Sequence, residues 1–284
     1  WGVTDVAYLQ ETIRLTPKTL HIFRCWPQDE ELAAQQLIDQ MLRITAPYRG
    51  LGKIVAHSFN EKVPFNQVDC ERLVAEELKF ATAMHNAGLL TMQLCVSESH
   101  LTKENQGLWQ YLLPVVRVAD FLGLNEYDWW HWNSSRDQGI KWRIGHWEIN
   151  YATIKSLGVN PPPVIIGEGI VDHKARSNNP SLYPQHRGGW QDSCNRRLTP
   201  EQYLAEIRAA HADTYHKPEV AGHLLFAWCP GDANWGTYDV SPIALQLEQW
   251  AKATGVQYWQ PALTPIPTPQ PPPVPAPQPT PLPY

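Results

Sequence analysis

The sequence predicts an α/β protein built as a (β/α)8 TIM barrel, with the first two strands missing from the chain. Short apolar runs alternate strictly with longer stretches at helical spacing, a pattern typical of parallel sheets with right-handed crossovers. Three of the apolar runs stop at a glutamate, as at the catalytic rim of a barrel. An open doubly wound sheet is the alternative, but no G-x-G-x-x-G follows any predicted strand.

Six strands are predicted from short runs rich in Val, Ile, Leu and Phe that are bounded by turn residues. They cover residues 20–25, 53–59, 89–96, 121–125, 164–167 and 223–228. Each strand is followed by a helix, and one further helix stands in front. An eight-stranded barrel that lacks its first two strands and first helix would show this order.

Seven helices are predicted from the spacing of apolar residues and from start and stop signals. The first covers residues 3–15. Asp69 is expected to cap the third helix and Gly88 to end it, while Thr199 opens the sixth ahead of a first-turn proline. The helices that follow the strands cover residues 29–44, 69–86, 104–118, 145–157, 199–216 and 241–253.

The chain of 284 residues divides into a barrel and a tail. Residues 1–259 suit a single barrel domain, because barrels of about 250 residues form one domain. Residues 260–284 are rich in Pro, a composition that buries no apolar area and adopts extended polyproline II. We expect this disordered tail to act as a spacer to a further C-terminal domain; a ligand for SH3-type modules is the alternative.

The composition argues against several classes of function. The net charge of −5 comes from interspersed acids and bases without a basic block, so a nucleic-acid partner is not expected. No apolar run reaches the length of a transmembrane segment. The 11 His show no H-E-x-x-H and no paired Cys/His spacing, so neither a metal nor another cofactor is expected. The absence of G-x-S-x-G disfavours a serine hydrolase.

The five cysteines are predicted to be buried, inert thiols. They lie far apart in the sequence without a C-x-x-C spacing, which argues against both a zinc ribbon and a disulfide scaffold. The positions are Cys25, Cys70, Cys95, Cys194 and Cys229.

Three glutamates are candidates for acid/base chemistry because each ends a predicted strand. Glu61 follows residues 52–60, Glu126 follows residues 120–125, and Glu168 follows residues 163–167. If the last predicted strand is the eighth of a barrel, counting backwards places Glu61 on the fourth strand, Glu126 on the sixth and Glu168 on the seventh.

This arrangement resembles the clan A glycoside hydrolases over about residues 20–253. These barrel enzymes carry an Asn-Glu pair at the end of strand four and a second glutamate at the end of strand seven, and Asn60-Glu61 and Glu168 fall on those strands. They commonly place a Tyr at strand six and an aromatic residue, usually Trp, at strand eight. Tyr127 and Trp228 occupy the matching places.

The resemblance implies hydrolysis with retention, in which Glu61 is the general acid/base and Glu168 the nucleophile. It also implies that Asn60 holds the 2-hydroxyl of the sugar, that Tyr127 orients Glu168 and that Trp228 lies below the sugar. Retention requires the two carboxyl groups to lie about 5 to 5.5 Å apart, whereas inversion requires about 6.5 to 9.5 Å.

Two positions leave alternatives open. Asn125 stands where the family often has a His, and Asn125-Glu126 is itself an Asn-Glu pair, so Glu126 is a rival for the acid/base role. Arg24, at the end of the first predicted strand, is expected either to bind a hydroxyl or carboxylate near the nucleophile or to form a salt bridge at the rim.

Two loops on the catalytic side predict a substrate cleft. The loop over residues 128–147 is rich in Trp and includes Trp129, and the loop over residues 172–198 is polar. Indole faces stack on the apolar faces of sugar rings, which predicts a carbohydrate substrate, although these Trp could instead pack on one another.

Two functions therefore remain in competition. One is a glycosidase that cleaves a polysaccharide, and the other is an inactive barrel that serves as a carbohydrate-binding or structural module of a larger surface protein. The Pro-rich spacer and a polymeric substrate favour a location outside the cell or at its surface.

Overall fold

The computed structural model describes residues 6–16, 19–25, 33–60, 62, 64–97, 101, 103–126, 145–169, 198–225 and 241–254. The strands in these residues are β1 (Leu20–Phe23), β2 (Lys53–His57), β3 (Leu90–Ser97), β4 (Phe121–Asn125), β5 (Val164–Gly169) and β6 (Val220–Leu225). They form one sheet in sequence order, and every neighbouring pair is parallel. The predicted parallel α/β architecture is confirmed.

A helix follows each strand, as predicted. The α-helices of the described residues are α1 (Val6–Leu15), α2 (Ala34–Thr45), α3 (Gln67–Asn86), α4 (Trp109–Val116), α5 (His146–Ser156), α6 (Pro200–Thr214) and α7 (Ala244–Thr254). Short 3-10 turns lie at Ala46–Tyr48, Lys103–Leu108 and Ser241–Ile243. The predicted helix over residues 104–118 is therefore partly a 3-10 turn, which contains Gly107, a residue of low helix propensity.

The sheet curls into a half-barrel with an apolar layer on each face. The concave face carries a cluster of side chains from all six strands; its buried members are Val55, Met92, Cys95, Phe121 and Ile165. The convex face packs on the helices through a larger cluster that alternates with the first along the strands. Burial on both faces explains why the strands are nearly continuous apolar runs.

Two helix starts test the predicted caps. Thr199 caps α6 as predicted, since its hydroxyl oxygen accepts a hydrogen bond from the Gln202 amide at 3.2 Å. The expectation for α3 was wrong: Asn66 is the cap, and its side-chain oxygen accepts a hydrogen bond from the Asp69 amide at 3.0 Å. Gly88 follows the end of α3 with a φ of +72°, as a helix-terminating glycine does.

The strand β3 contains an irregularity that the sequence did not predict. Leu94 has a φ of +54°, a left-handed conformation that costs a non-glycine residue about 1–2 kcal/mol. The pairing of β3 with β4 shifts register between Gln93 and Val96 at this point. As a result Met92 and Cys95, three residues apart, both join the concave cluster, whereas regular alternation would place Met92 and Leu94 on one face.

The strand β6 begins three residues before the predicted start at residue 223. Its first residue, Val220, pairs with Val164 of β5, and the pairing continues from Ile165 to Gly222. Ala221 and Gly222 have low strand propensity, and the sequence pattern therefore missed them. Residues 226–228 of the predicted strand lie outside the described residues.

A polar cluster lies at the amino ends of the strands. One carboxylate oxygen of Asp120, which precedes β4, accepts hydrogen bonds from the Thr91 amide at 2.8 Å and the Thr91 hydroxyl at 3.1 Å. The same oxygen lies 2.9 Å from Nε2 of His85, in the last turn of α3. The cluster joins α3, β3 and the start of β4. In barrels, residues at the amino ends of the strands generally serve stability.

Cys25, Cys70 and Cys95 are buried and form no disulfide bond, as predicted for them. Burial raises the pKa of the Cys70 thiol to about 11, which keeps it protonated and unreactive at neutral pH. Cys194 and Cys229 lie outside the described residues. In the portion of the chain described above, no helix has both the length and the apolar character needed to cross a membrane.

Candidate functional site

The carboxyl ends of the six strands lie along one edge of the half-barrel, where parallel barrels bind substrates. Arg24 follows β1 at this edge, His57 ends β2 and Asn125 ends β4. Asn60 lies just beyond β2, and its backbone forms a parallel bridge with Cys95 of β3. The edge therefore collects polar side chains above the apolar concave cluster.

Asn60 and Asn125 are in direct contact. Asn60 is 2% exposed and Asn125 is 1% exposed. The side-chain nitrogen of Asn125 donates a hydrogen bond to the side-chain oxygen of Asn60 at 3.3 Å. This bond reaches from the end of β4 to the segment after β2, across the intervening strand β3. A buried polar pair that is hydrogen-bonded fixes the relative position of the two strand ends.

Asn125 also lies against Gly167 of β5. The two residues are partners in the parallel pairing of β4 and β5. A Cβ atom on Gly167 would lie only 2.5 Å from the side-chain oxygen of Asn125, so any other residue at position 167 would displace this buried side chain. Asn125 therefore touches Asn60, the residue before Glu61, and Gly167, the residue before Glu168.

The residue after Glu61 is anchored as well. Nζ of Lys62 lies 2.6 Å from a carboxylate oxygen of Glu76 on α3 and 4.3 Å from the ring centre of Phe59. Phe59 in turn contacts Phe80 of α3, with ring centres 6.5 Å apart. Both neighbours of position 61 thus have fixed contacts, one with β3 and β4 and the other with α3.

Glu126 points its carboxylate at the start of α5. It is 1% exposed, and its two oxygens accept hydrogen bonds from the Gly145 amide at 2.9 Å and the Trp147 amide at 2.6 Å. A carboxylate at this position satisfies amides that have no partner within the helix and lies at the positive end of the helix dipole. The contacts of Glu126 are those of a helix-capping residue.

Arg24 supplies a positive charge near His57. Burial and the nearby charge of Arg24 lower the pKa of His57 to about 3, so its imidazole is neutral at physiological pH. Nδ1 of His57 lies 2.9 Å from the Ser58 carbonyl oxygen and donates a hydrogen bond to it. The proton is therefore on Nδ1, and Nε2 is the acceptor nitrogen.

Several predicted site residues cannot be placed. Glu61, Tyr127, Trp129 and Trp228 lie outside the described residues. The backbone of Glu168 is part of β5, in the segment where the pairing with β6 shifts register, but its side chain lies outside the described part. The distance between the carboxylates of Glu61 and Glu168 therefore stays a prediction. Among the described residues, no cluster of three or more His, Cys, Asp or Glu side chains could hold a metal ion.

Sequence reasoning missed His57 and a buried carboxylate on α3, Glu77. The alternation of β2 could have revealed His57, because Val55 faces the concave cluster and His57 lies two residues further on. Glu77 is 1% exposed and accepts hydrogen bonds from residues of the β2 end and of β3. The helical spacing of α3 could have distinguished Glu77 from Glu76, because Glu77 shares the buried face of the helix with Leu73 and Phe80.

No protein-family model matches the chain, and no curated protein matches it.

Proposed function

We propose that the protein is a retaining glycoside hydrolase that acts on a polysaccharide. The observation that carries the proposal is the contact of Asn125 with both Asn60 and Gly167. Each of these residues immediately precedes one of the two candidate glutamates, Glu61 and Glu168. The resemblance to clan A glycoside hydrolases supplies the roles, and the half-barrel corresponds in this proposal to strands three to eight of an eight-stranded barrel.

Glu168, as the carboxylate, attacks the anomeric carbon of the sugar, and the bond from that carbon to the leaving oxygen breaks. Glu61, as the carboxylic acid, gives its proton to the leaving oxygen. Glu61, now ionised, then takes a proton from a water molecule, whose oxygen attacks the anomeric carbon and releases Glu168. Two inversions at the same carbon give net retention. The two glutamates must have different pKa values, which neighbouring charge and burial supply.

The described residues support this chemistry by positioning. Asn60 would hold the 2-hydroxyl of the sugar, and its hydrogen bond with Asn125 limits the rotation of its side chain. The positive charge of Arg24 favours the ionised form of a nearby carboxylate, as a nucleophile requires. Tyr127, Trp129 and Trp228 would complete the sugar site. The helix-capping contacts of Glu126 favour Glu61 over Glu126 as the acid/base.

An inactive carbohydrate-binding barrel is the second candidate. Among the described strands, β1 pairs only with β2 and β6 only with β5, so the described sheet does not close on itself. An unclosed sheet has less of the rigidity that catalysis requires. With either function, the protein would bind a carbohydrate outside the cell or at its surface.

The test is an activity screen of the full chain on soluble polysaccharides and 2,4-dinitrophenyl glycosides. We expect the wild type to cleave at least one substrate with retention, and Glu168→Ala and Glu61→Ala to lose activity. Added azide should then yield a glycosyl azide of inverted configuration with Glu168→Ala and of retained configuration with Glu61→Ala, because azide enters on opposite faces of the sugar.

Glu201→Gln, an exposed carboxylate in the first turn of α6, is the matched control and should keep full activity. Unchanged hydrolysis by Glu168→Ala would exclude Glu168 as the nucleophile. A retained-configuration azide product from Glu126→Ala, and none from Glu61→Ala, would transfer the acid/base role to Glu126. Binding of a polysaccharide by a wild type that cleaves nothing would favour the inactive module.

A further inference from the structure

Glu77 is a buried carboxylate that joins three elements. It lies on α3, is 1% exposed, and uses both of its oxygens. One oxygen accepts hydrogen bonds from the Ser58 hydroxyl at 2.9 Å and from the Leu94 amide at 3.2 Å. The other accepts a hydrogen bond from the side-chain nitrogen of Gln93 at 2.9 Å. A single helix residue therefore holds both the end of β2 and the middle of β3.

The bond to Leu94 stabilises the irregular part of β3. The left-handed conformation of Leu94 turns its amide towards α3, where Glu77 is the acceptor. Because of this conformation, Cys95 faces the concave side of the sheet and its backbone bridges Asn60. Without an acceptor at position 77, the buried Leu94 amide would lose its hydrogen bond, and the left-handed residue would lose its main support.

The hydrogen bond between Ser58 and Glu77 supports the segment after β2 that contains Asn60. Ser58 is fully buried and lies two residues before Asn60, and its amide donates a hydrogen bond to the Met92 carbonyl at 2.9 Å. Glu77 thus reaches Asn60 by two routes, through Ser58 on the same segment and through Leu94 and Cys95 on β3. Its neighbour Glu76 anchors Lys62, on the far side of position 61.

We propose that Glu77 is a positioning residue that sets the strand end bearing Asn60 and Glu61, and through it the placement of the acid/base. This inference rests on the proposed function, since it assigns a purpose to the placement of Asn60 and Glu61. Glu77 itself touches no substrate and takes no part in proton transfer.

The test compares two leaving groups on one sugar, with phenyl and 2,4-dinitrophenyl glycosides of the sugar that the wild type cleaves. Departure of phenol requires a well-placed acid, whereas 2,4-dinitrophenolate departs with little protonation. We expect Glu77→Leu, which removes both acceptor oxygens, to lower kcat/KM about 10-fold or more for the phenyl glycoside and clearly less for the 2,4-dinitrophenyl glycoside. Amide hydrogen exchange should also become faster at Leu94 and Ser58.

Two further variants separate positioning from folding. Ser58→Ala removes one donor only and should shift the ratio of the two kcat/KM values in the same direction by a smaller factor, even if Glu77→Leu fails to fold. Asp120→Asn is the matched control, because Asp120 also binds a β3 amide and lies near α3, but at the opposite end of the strands. It should lower the melting temperature and leave the ratio unchanged.

An unchanged ratio in both Glu77→Leu and Ser58→Ala would overturn the inference, whatever happens to the melting temperature. An equal change in Asp120→Asn would also overturn it, because the effect would then come from general destabilisation. Failure of the proposed function is recognised separately: it would appear as a wild type that cleaves none of the substrates, and it would remove the positioning role together with the enzyme activity.

Discussion

At the scale of single residues, Asn125 and Gly167 explain how two distant strand ends are held in register. The missing side chain of Gly167 leaves room for the side-chain oxygen of Asn125. Asn125 can then direct its side-chain nitrogen towards Asn60. The space and the hydrogen bond depend on each other, because a displaced Asn125 could not keep the bond.

We predict that Gly167→Ala impairs both stability and activity. The new methyl group would overlap the Asn125 oxygen and force the side chain to move, at a cost of about 1–3 kcal/mol in the free energy of unfolding. Displacement of Asn60 by a fraction of an ångström should lower kcat/KM about 10- to 100-fold. Urea unfolding and kinetics with an aryl glycoside measure the two effects.

Gly222→Ala is the control, because Gly222 lies in the neighbouring strand β6 and a Cβ atom there would have no atom of the described residues within 4 Å. Gly222→Ala should have only a small effect on the free energy of unfolding and on kcat/KM. Equal effects of Gly167→Ala and Gly222→Ala would contradict the role of the close approach to Asn125.

The sequence predicted some of these residues but not their relation. Asn60 and Asn125 were selected because each stands before a glutamate at a strand end, and the structure brings both to one edge. The hydrogen bond between them depends on the curvature of the sheet, which no local pattern encodes. For the same reason the helix-capping contacts of Glu126 could not be predicted: its partners, Gly145 and Trp147, lie about 20 residues further along the chain.

At the scale of secondary structure elements, α3 supports the site from the outside of the half-barrel. Glu76, Glu77 and Phe80 face the segment from residue 58 to residue 62. The strand β4 matches its predicted bounds, because an unbroken apolar run is a strong local signal. The irregularity at Leu94 could not be predicted, because the Leu94 amide binds a carboxylate 17 residues away on α3.

We predict that the contribution of Glu77 to stability falls as the pH rises. Burial raises the pKa of Glu77 from 4.5 to about 7, although the hydrogen bonds and the charge of Lys62 act against the shift. A raised pKa in the folded state gives stability that is fully present below about 4.5 and is lost as the pH rises through about 7. The slope between these values is about 1.4 kcal/mol per pH unit.

Glu77→Gln removes this titration. Urea unfolding at pH 5 and pH 7 should therefore show that the wild type loses about 2 kcal/mol relative to Glu77→Gln between the two conditions. Glu76→Gln is the control, because Glu76 is adjacent but only partly buried, and the difference between this variant and the wild type should change little. A constant difference between the wild type and Glu77→Gln would show that Glu77 is not protonated in the folded protein at pH 5.

At the scale of the whole molecule, stability and proposed function lie at opposite ends of the strands. Asp120, His85 and Thr91 join the amino ends, whereas Asn60, Asn125 and His57 lie at the carboxyl ends. The carboxyl end is also where buried groups have shifted pKa values, which is common at functional sites. The overall order of strands and helices could be predicted from hydrophobic periodicity alone, because each βα unit is a local pattern.

The buried histidines and Glu77 change the stability of the protein in opposite directions as the pH rises. Burial lowers the pKa of His57 to about 3, with help from the charge of Arg24, and lowers that of His223 to about 4. A lowered histidine pKa gives stability that is present above about pH 6.5 and is lost as the pH falls. Glu77 has the opposite dependence. Burial also lowers the pKa of His146 and of His211, which adds to the effect of the other histidines.

The balance predicts that the stability of the wild type rises with pH and then levels off near pH 7. Between about pH 4.5 and 6 the unfolded chain binds a proton on both His57 and His223, while the folded chain holds one on Glu77, so the free energy of unfolding should rise by about 1.4 kcal/mol per pH unit. Above about pH 6.5 the unfolded histidines and the folded Glu77 lose their protons together, so their opposite contributions nearly cancel and the free energy of unfolding should become constant. Urea unfolding in steps from pH 5 to pH 8 would reveal the plateau. Glu77→Gln should make the rise below pH 6.5 steeper, and His57→Gln should flatten it, whereas a wild type that gains stability at a constant slope up to pH 8 would contradict this balance.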